Sequence, residues 1–310
     1  MADSLHKSLN IKELYLLNKQ VYRSFSKRIK FFPKLLIYRT YISEMYIFFT
    51  QVIKMPISKY NPRIYGKIFQ PYIFCGLLMH KKMQYLMGHY AYIQNNFSED
   101  FIRTIYLDKS SNLLLGKIDY DENKTLSVML YKPSPGFMKE GELSLMLMDD
   151  ATQISVFSST FIFNSENNIS RIIIGRIQGV PSRYEHGDVI IKALTKKLHG
   201  LRPSALIMFI FQCLSSALNI DEIWATSTEQ HISRCSNHKR RNEFKMNYDQ
   251  YWEEFGGIKS NEQHYNLPIA YQPKELAEIK SNKRAMYHRR FAMLNQLEGE
   301  LMVNMLKLHV

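Results

Sequence analysis

ELSLMLMDDATQISVFSSTFIFNSENNISRIIIGRIQG, residues 142–179, is the stretch whose reading decides the fold. It holds three runs rich in β-branched and apolar residues, 142–149, 154–163 and 170–179, broken at 149–152 and 164–168 by residues that favour turns. Runs this short and this closely joined predict an antiparallel meander. Two more of the same kind precede it, LLLGKIDY (113–120) and TLSVMLY (125–131), with breaks at 121–123 and 133–136.

Downstream the pattern changes. Residues 188–198 read as a short helix, HGLRP (199–203) as a loop, 204–218 as an apolar helix and EIWATS (222–227) as another strand. Upstream there is no strand pattern. Leu14, Leu17, Val21, Phe25, Ile29 and Phe32 recur at steps of three and four, one helical face, with Lys12, Lys19, Arg23, Lys27 and Lys30 on the opposite side until Pro33 ends or kinks the run. Leu35, Tyr38, Ile42, Met45, Phe49 and Val52 continue the helical pattern, and a looser one covers 72–92. The expected class is α+β: a basic, aromatic-rich helical region over 1–110, then a domain over 111–310 with a mostly antiparallel central sheet, flanking helices and C-terminal helices.

The chain carries 41 Lys/Arg against 28 Asp/Glu. The excess is concentrated: residues 1–90 hold 15 cations and 3 acids, whereas 91–310 hold 26 and 25. Such a region favours anionic partners, and an anionic membrane surface met by residues 1–90 is the expected one; an ordinary solvated helix face is the plainer reading of the same lysines. A nucleic-acid-binding regulator is the least favoured role, because no reading module is recognisable. Cys75, Cys213 and Cys235 lack the short paired spacings of zinc sites and disulfide frameworks, which suggests a reducing compartment and no metal. MADSLHKSLN at the start has polar and charged residues where a secretory signal carries its apolar core. The expected location is therefore cytoplasmic, with a peripheral place on the inner face of the cytoplasmic membrane as the variant that the basic region suggests.

LGKIDY, MKEGELSL (138–145), IGRIQG (174–179), KKLHGLRPSAL (196–206), NYDQYWEEFGG (247–257) and KRAMYHRRF (283–291) resemble, in order, the blocks of the VirK/YbjX family of bacterial proteins, over roughly residues 60–300. The resemblance implies a role in virulence or at the cell envelope. An envelope or surface virulence protein is then a partner to expect, and a non-catalytic accessory factor aiding its localisation one form the function would take. The oligomeric state is left open.

The succession of meander, loop, buried helix and strand also resembles the core of the GNAT acyltransferases, which suggests an acyl- or aminoacyltransferase acting on an envelope component with a coenzyme A thioester or aminoacyl donor. In that fold a loop at a helix start holds the cofactor's pyrophosphate. The candidate cofactor-binding residues here are Gly175, Arg176, Gln178, Gly179, Arg183, Gly200, Arg202 and Ser204. His186 and His199 are candidate general bases near neutral pH, Glu185 and Glu253 substitutes if burial raises their pKa, and Tyr248 a proton donor. The chain departs from the GNAT pattern in that residues 180–198 separate strand from loop and Pro203 offers no amide hydrogen. Structural readings stand beside these. The glycines relieve crowding, Trp252 packs in the core, and the clusters HKRRNEFK (238–245) and KRAMYHRR (283–290) are solvated faces or the border of an anionic ligand's site.

Overall fold

A computed structural model describes residues 8–108, 112–235, 246–260 and 263–309. Five strands follow one another as antiparallel neighbours: β1 (Asn112–Asp121), β2 (Lys124–Tyr131), β3 (Leu143–Asp149), β4 (Ile154–Glu166) and β5 (Ile169–Gly179). The turns supply what tight reversals need: Asn123, Gln153, Asn167 and Asn168 all adopt positive φ. In β2 and β3, Leu126, Val128, Leu130, Leu143, Leu145 and Leu147 are buried at alternate positions, which fixes the register to the core face.

In β4 and β5 the burial is continuous rather than alternating, so both faces are covered. Phe161 meets Phe211 edge-on at 5.2 Å, and Phe163 stacks on Tyr92 at 4.8 Å. The chain leaves β5 through two helices and returns as β6 (Glu222–Thr226), which lies parallel to β5, as a crossover connection requires. β7 (Ile258–Lys259) and β8 (His264–Leu267) complete one eight-stranded sheet in the order β1-β2-β3-β4-β5-β6-β8-β7. The protein is α+β, as its pattern predicts.

The helices before the sheet are α1 (Ile11–Val21), α2 (Phe25–Ile37), α3 (Arg39–Ile47), α4 (Ile57–Tyr60), α5 (Met79–Asn96) and α6 (Glu99–Ile102), with a 3-10 segment at Pro62–Phe69. After β5 come α7 (Gly187–Lys197) and α8 (Pro203–Ala217), then α9 (Tyr248–Glu254) and the long α10 (Ser281–Leu308). Apolar side chains of the first helices and of the sheet belong to one continuous core. No helix among the described residues is long and apolar enough to cross a membrane.

Two expectations need correction. The helical face read from Leu14 to Phe32 is not continuous: the chain breaks at Tyr22, whose φ of −130° and ψ of 123° are extended, and α2 starts afresh at Phe25 and runs on past Pro33. Leu14, Leu17 and Val21 are buried as that face predicts, but Phe25 and Ile29 are exposed, and the residues of α2 that enter the core are Phe31 and Leu35. The second correction concerns the cysteines. Cys75 and Cys235, 160 residues apart, form a disulfide, leaving Cys213 as the free and buried thiol among the described residues. A pairing at that separation has no signature in local spacing, and the cysteines no longer argue for a reducing compartment.

Candidate anion-binding site

Glu140, Gly141 and Glu142 lead into β3 at the point where the first helices meet the sheet. Gly141 is required there because a Cβ would meet the backbone of Phe161 at 2.5–2.8 Å. The close approach sends the two flanking carboxylates into separate buried networks. Glu142 accepts hydrogen bonds from Tyr72 Oη at 2.9 Å and Tyr90 Oη at 2.8 Å and pairs with Lys67 Nζ; all three partners are buried. Three donors around one buried carboxylate offset the loss of its hydration. His89 continues the polar layer: its Nδ1 accepts from the Phe163 N–H at 3.1 Å and its Nε2 lies 2.7 Å from Tyr106 Oη. Burial, and then Lys67, hold its pKa well below the usual histidine value, so the ring is neutral and Nε2 carries the hydrogen.

Glu140 turns the other way and meets Arg176 of β5, Oε2 to Nε 3.2 Å, with both side chains under 10% exposed. The guanidinium lies over the Phe137 ring, 3.5 Å from its centroid, and donates to Gln178 Oε1. Burial pushes the Glu140 carboxyl up to about 7 although Arg176 opposes it, and burial followed by Arg176 holds His231, 3.7 Å from Glu140, down to about 3.

Above Lys67 opens a cavity of about 220 Å³, bounded by Tyr22, Lys27, Arg63, Tyr72 and Lys139. Four cations line it, and among the described residues only Lys67 has an ion-pair partner. Its volume is below the roughly 300–1,000 Å³ of pockets for drug-sized molecules, which suits a compact anionic group. The wall at residues 70–75 is held under strain. Ile73, fully buried, has φ +57°, a region unfavourable for a β-branched side chain, and its N–H donates to the Lys139 carbonyl at 2.8 Å. The Cys75–Cys235 bond and a hydrogen bond from Cys75 N–H to the Gln230 carbonyl at 2.7 Å fix the same loop from the other side.

The residues singled out from sequence around β5 and α8 do not line the cavity above Lys67. Gly175 is a bulge: pairing with β4 passes from Ile174 to Arg176, and a Cβ there would collide with the Glu140 carbonyl. Gln178 serves Arg176, and Gly179 ends β5 opposite Phe157. Arg183 is exposed and lies over Tyr184, Glu185 is exposed, and His186, also exposed, is the left-handed N-cap of α7. His199 and Gly200 form the turn before α8, φ +52° and +77°; the His199 carbonyl accepts two hydrogen bonds from Arg290, and its ring pKa is lowered by burial and then by Arg289 and Arg290. Arg202, the N-cap of α8, is exposed and pairs with Glu254 at 2.8 Å, which answers the unfavourable helix dipole. The Ser204 carbonyl accepts from Tyr251 Oη at 2.8 Å, and Glu253 accepts from Tyr265 Oη at 3.1 Å.

Tyr248, fully buried, bridges the gap beyond the last β5–β6 pair: its hydroxyl accepts from the Ile177 N–H at 3.1 Å and donates to the Ile177 carbonyl at 3.0 Å, and burial raises its pKa. Trp252 is fully buried, its Nε1 donating to the Thr226 carbonyl at 2.8 Å, and α9 ends at Gly256, φ +77°, with the paired bonds of a Schellman cap. The cluster 238–245 lies outside the described residues. Lys67, Tyr72, Tyr90, Glu140, Glu142 and Arg63 were missed by sequence reasoning, and only the two acids beside a glycine in MKEGELSL offered a signal.

The blocks quoted from the sequence thus contact one another: MKEGELSL and IGRIQG through Glu140–Arg176, IGRIQG and NYDQYWEEFGG through Ile177–Tyr248, HGLRPS and KRAMYHRR through His199–Arg290. Residues 20–302 match the model of the family described as "Protein of unknown function (DUF535)". An Escherichia coli K12 protein described as "Uncharacterized protein YbjX" is 30% identical over 243 residues, 78% of this chain and 72% of that one. An uncharacterized Haemophilus influenzae protein is 28% identical over 186 residues, 60% of this chain and 59% of its own. No solved structure matches. The chain belongs to the DUF535 family, the family of VirK and YbjX.

Proposed function

We propose that the protein is a ligand-binding accessory factor of the cell envelope whose working site is the cavity above Lys67, and that the ligand is an anion carrying phosphate. The observation that carries this reading is the convergence of Lys27, Arg63 and Lys139 on one small cavity with no carboxylate paired to them among the described residues, beside a Lys67 already neutralised by Glu142. Lys139 feels the neighbouring Glu140 carboxylate, but cations gathered with so little counter-charge still repel one another, and a bound anion removes that cost. The envelope or virulence setting is taken from the family resemblance.

A second reading, acyl or aminoacyl transfer on a GNAT-like sheet, is favoured by one observation: parallel β5 and β6 pair only from Arg171–Glu222 to Ile174–Ala225 and then part at the Gly175 bulge. A thioester arm entering there would have to displace Tyr248 from Ile177. Thermal unfolding of the full chain with inorganic pyrophosphate, coenzyme A and acetyl-coenzyme A separates the two, since a ligand bound by the folded state raises the transition. Stabilisation by pyrophosphate that is lost in Arg63→Ala/Lys139→Ala supports the cavity reading. Stabilisation by acetyl-coenzyme A unaffected by that variant, and lost in Gln178→Ala/Arg202→Ala, would replace it with the transferase.

A further inference from the structure

The break at Tyr22 leaves α2 with two apolar sides. Phe31 and Leu35 enter the core, whereas Phe25, Ile29 and Leu36 fall within about 40° of one another on the helix circumference and face outward, with the half-buried Phe32 beside them. Phe25 is 72%, Ile29 57% and Leu36 41% exposed. The patch continues onto α1: the Tyr15 ring packs edge-on against Phe32 at 6.3 Å, and Ile11, one turn before Tyr15, is 65% exposed. A contiguous exposed apolar stripe on two neighbouring helices is not what solvent alone selects.

Its charge environment is one-sided. Lys19, Arg23, Lys27, Arg28, Lys30, Lys34 and Arg39 are the seven ionised side chains between Glu13 and Glu44, and no acid lies among them. Lys19 extends over the Tyr15 ring with its ammonium 4.6 Å from the centroid, and Arg28 folds back to the Arg23 carbonyl at 2.6 Å beside Phe25. Lys19 and Arg28 border the exposed aromatic and aliphatic side chains, while Lys27, Lys30 and Lys34 stand about 100° or more away around α2; this is the arrangement of a helix lying in a membrane interface, where the apolar stripe enters the acyl boundary and the cations reach up to the headgroups. A protein partner or a second copy of this chain would need carboxylates to answer seven cations; an anionic bilayer answers them everywhere.

We infer that α1 and α2 dock this protein on the surface of a bilayer containing anionic lipid, through Ile11, Tyr15, Phe25, Ile29 and Leu36. The inference rests on these exposed side chains, none of which lines the cavity above Lys67, although Lys27 belongs to both regions. The docking is peripheral: the helices lie along the surface and do not span it.

The test is co-sedimentation of the full chain with vesicles of phosphatidylcholine alone and of equal parts phosphatidylcholine and phosphatidylglycerol. The protein is expected to sediment with the anionic vesicles and not the neutral ones, with affinity falling as salt rises. Phe25→Ser, and separately Ile29→Ser/Leu36→Ser, are expected to weaken binding by about tenfold or more; the thermal transition should stay put in Phe25→Ser, whose side chain is mostly in water, and fall little in the double variant. Arg63→Ala/Lys139→Ala is expected to bind vesicles as the natural chain does, so failure of the cavity reading leaves this result intact. No binding to anionic vesicles, or equal binding by the serine variants, overturns the inference. Self-association abolished by the serine variants, without vesicle binding, would overturn it in favour of an interface between copies.

Discussion

Glu140 and Arg176, from sequence blocks more than thirty positions apart, meet as a buried ion pair 3.2 Å across, and the Gly175 backbone fits against the Glu140 carbonyl beside it. The pair ties the approach to β3 to β5, and so positions Lys139 at the rim of the cavity. Removing one member leaves the other charge buried. Arg176→Met is therefore expected to cost about 3–5 kcal/mol in urea unfolding near pH 8, and adding Glu140→Gln should recover part of that loss. Additive costs would show that the two side chains are not coupled.

The same pair makes a pH-dependent prediction. Glu140 is raised from 4.5 to about 7, so its contribution is fully present below 4.5 and is lost as pH rises through 7, because in between the folded chain keeps a proton the unfolded chain has released. The loss amounts to roughly 3 kcal/mol across the window. His231, lowered from 6.5 to about 3, works in the opposite sense, its neutral folded form losing ground as pH falls below 6.5. The two slopes oppose one another between about 4.5 and 6.5. Glu140→Gln deletes one of them, so the variant is expected to gain stability over that range relative to the natural chain; parallel profiles in denaturant titrations at several pH values would contradict the assignment.

Tyr248 supports β5 where β6 has diverged. In Tyr248→Phe the buried Ile177 N–H and carbonyl lose their shared partner, which should cost about 1–3 kcal/mol and speed amide exchange at Ile177. Unchanged exchange at that amide would mean that the strand is held by other contacts.

Cys75–Cys235 closes a span of 160 residues and braces the strained Ile73 loop that carries Tyr72. Reduction, or Cys75→Ala, is expected to lower stability by about 2–4 kcal/mol and to weaken anion binding at the cavity through the loosened wall. Mass spectrometry of the unreduced chain after alkylation gives the direct check: one modified thiol, Cys213, only after unfolding.

The meander was legible because each strand is its own short apolar run with turn residues at both ends, and 113–131 and 142–179 became β1 to β5 with boundaries moved by few residues. α7, α8 and β6 were legible for the same reason. β7 and β8 were not, since runs of two and four residues carry no period. On α2 the periodicity was real but ambiguous: Phe25–Ile29–Phe32 and Phe31–Leu35 are both apolar faces, and only packing decides which one is covered. The cavity was the least legible feature. Arg63, in the 3-10 segment, and Lys139, in a loop, lie 76 positions apart, and nothing in either neighbourhood announces the other.

The most direct test of the account is calorimetric titration of the full chain with inorganic pyrophosphate at low ionic strength. Saturable binding is expected, weakened by about tenfold or more in Arg63→Ala/Lys139→Ala, a charge-assisted loss, with the fold unchanged because both side chains reach solvent. Absence of binding by the natural chain, or equal binding by the variant, would contradict it.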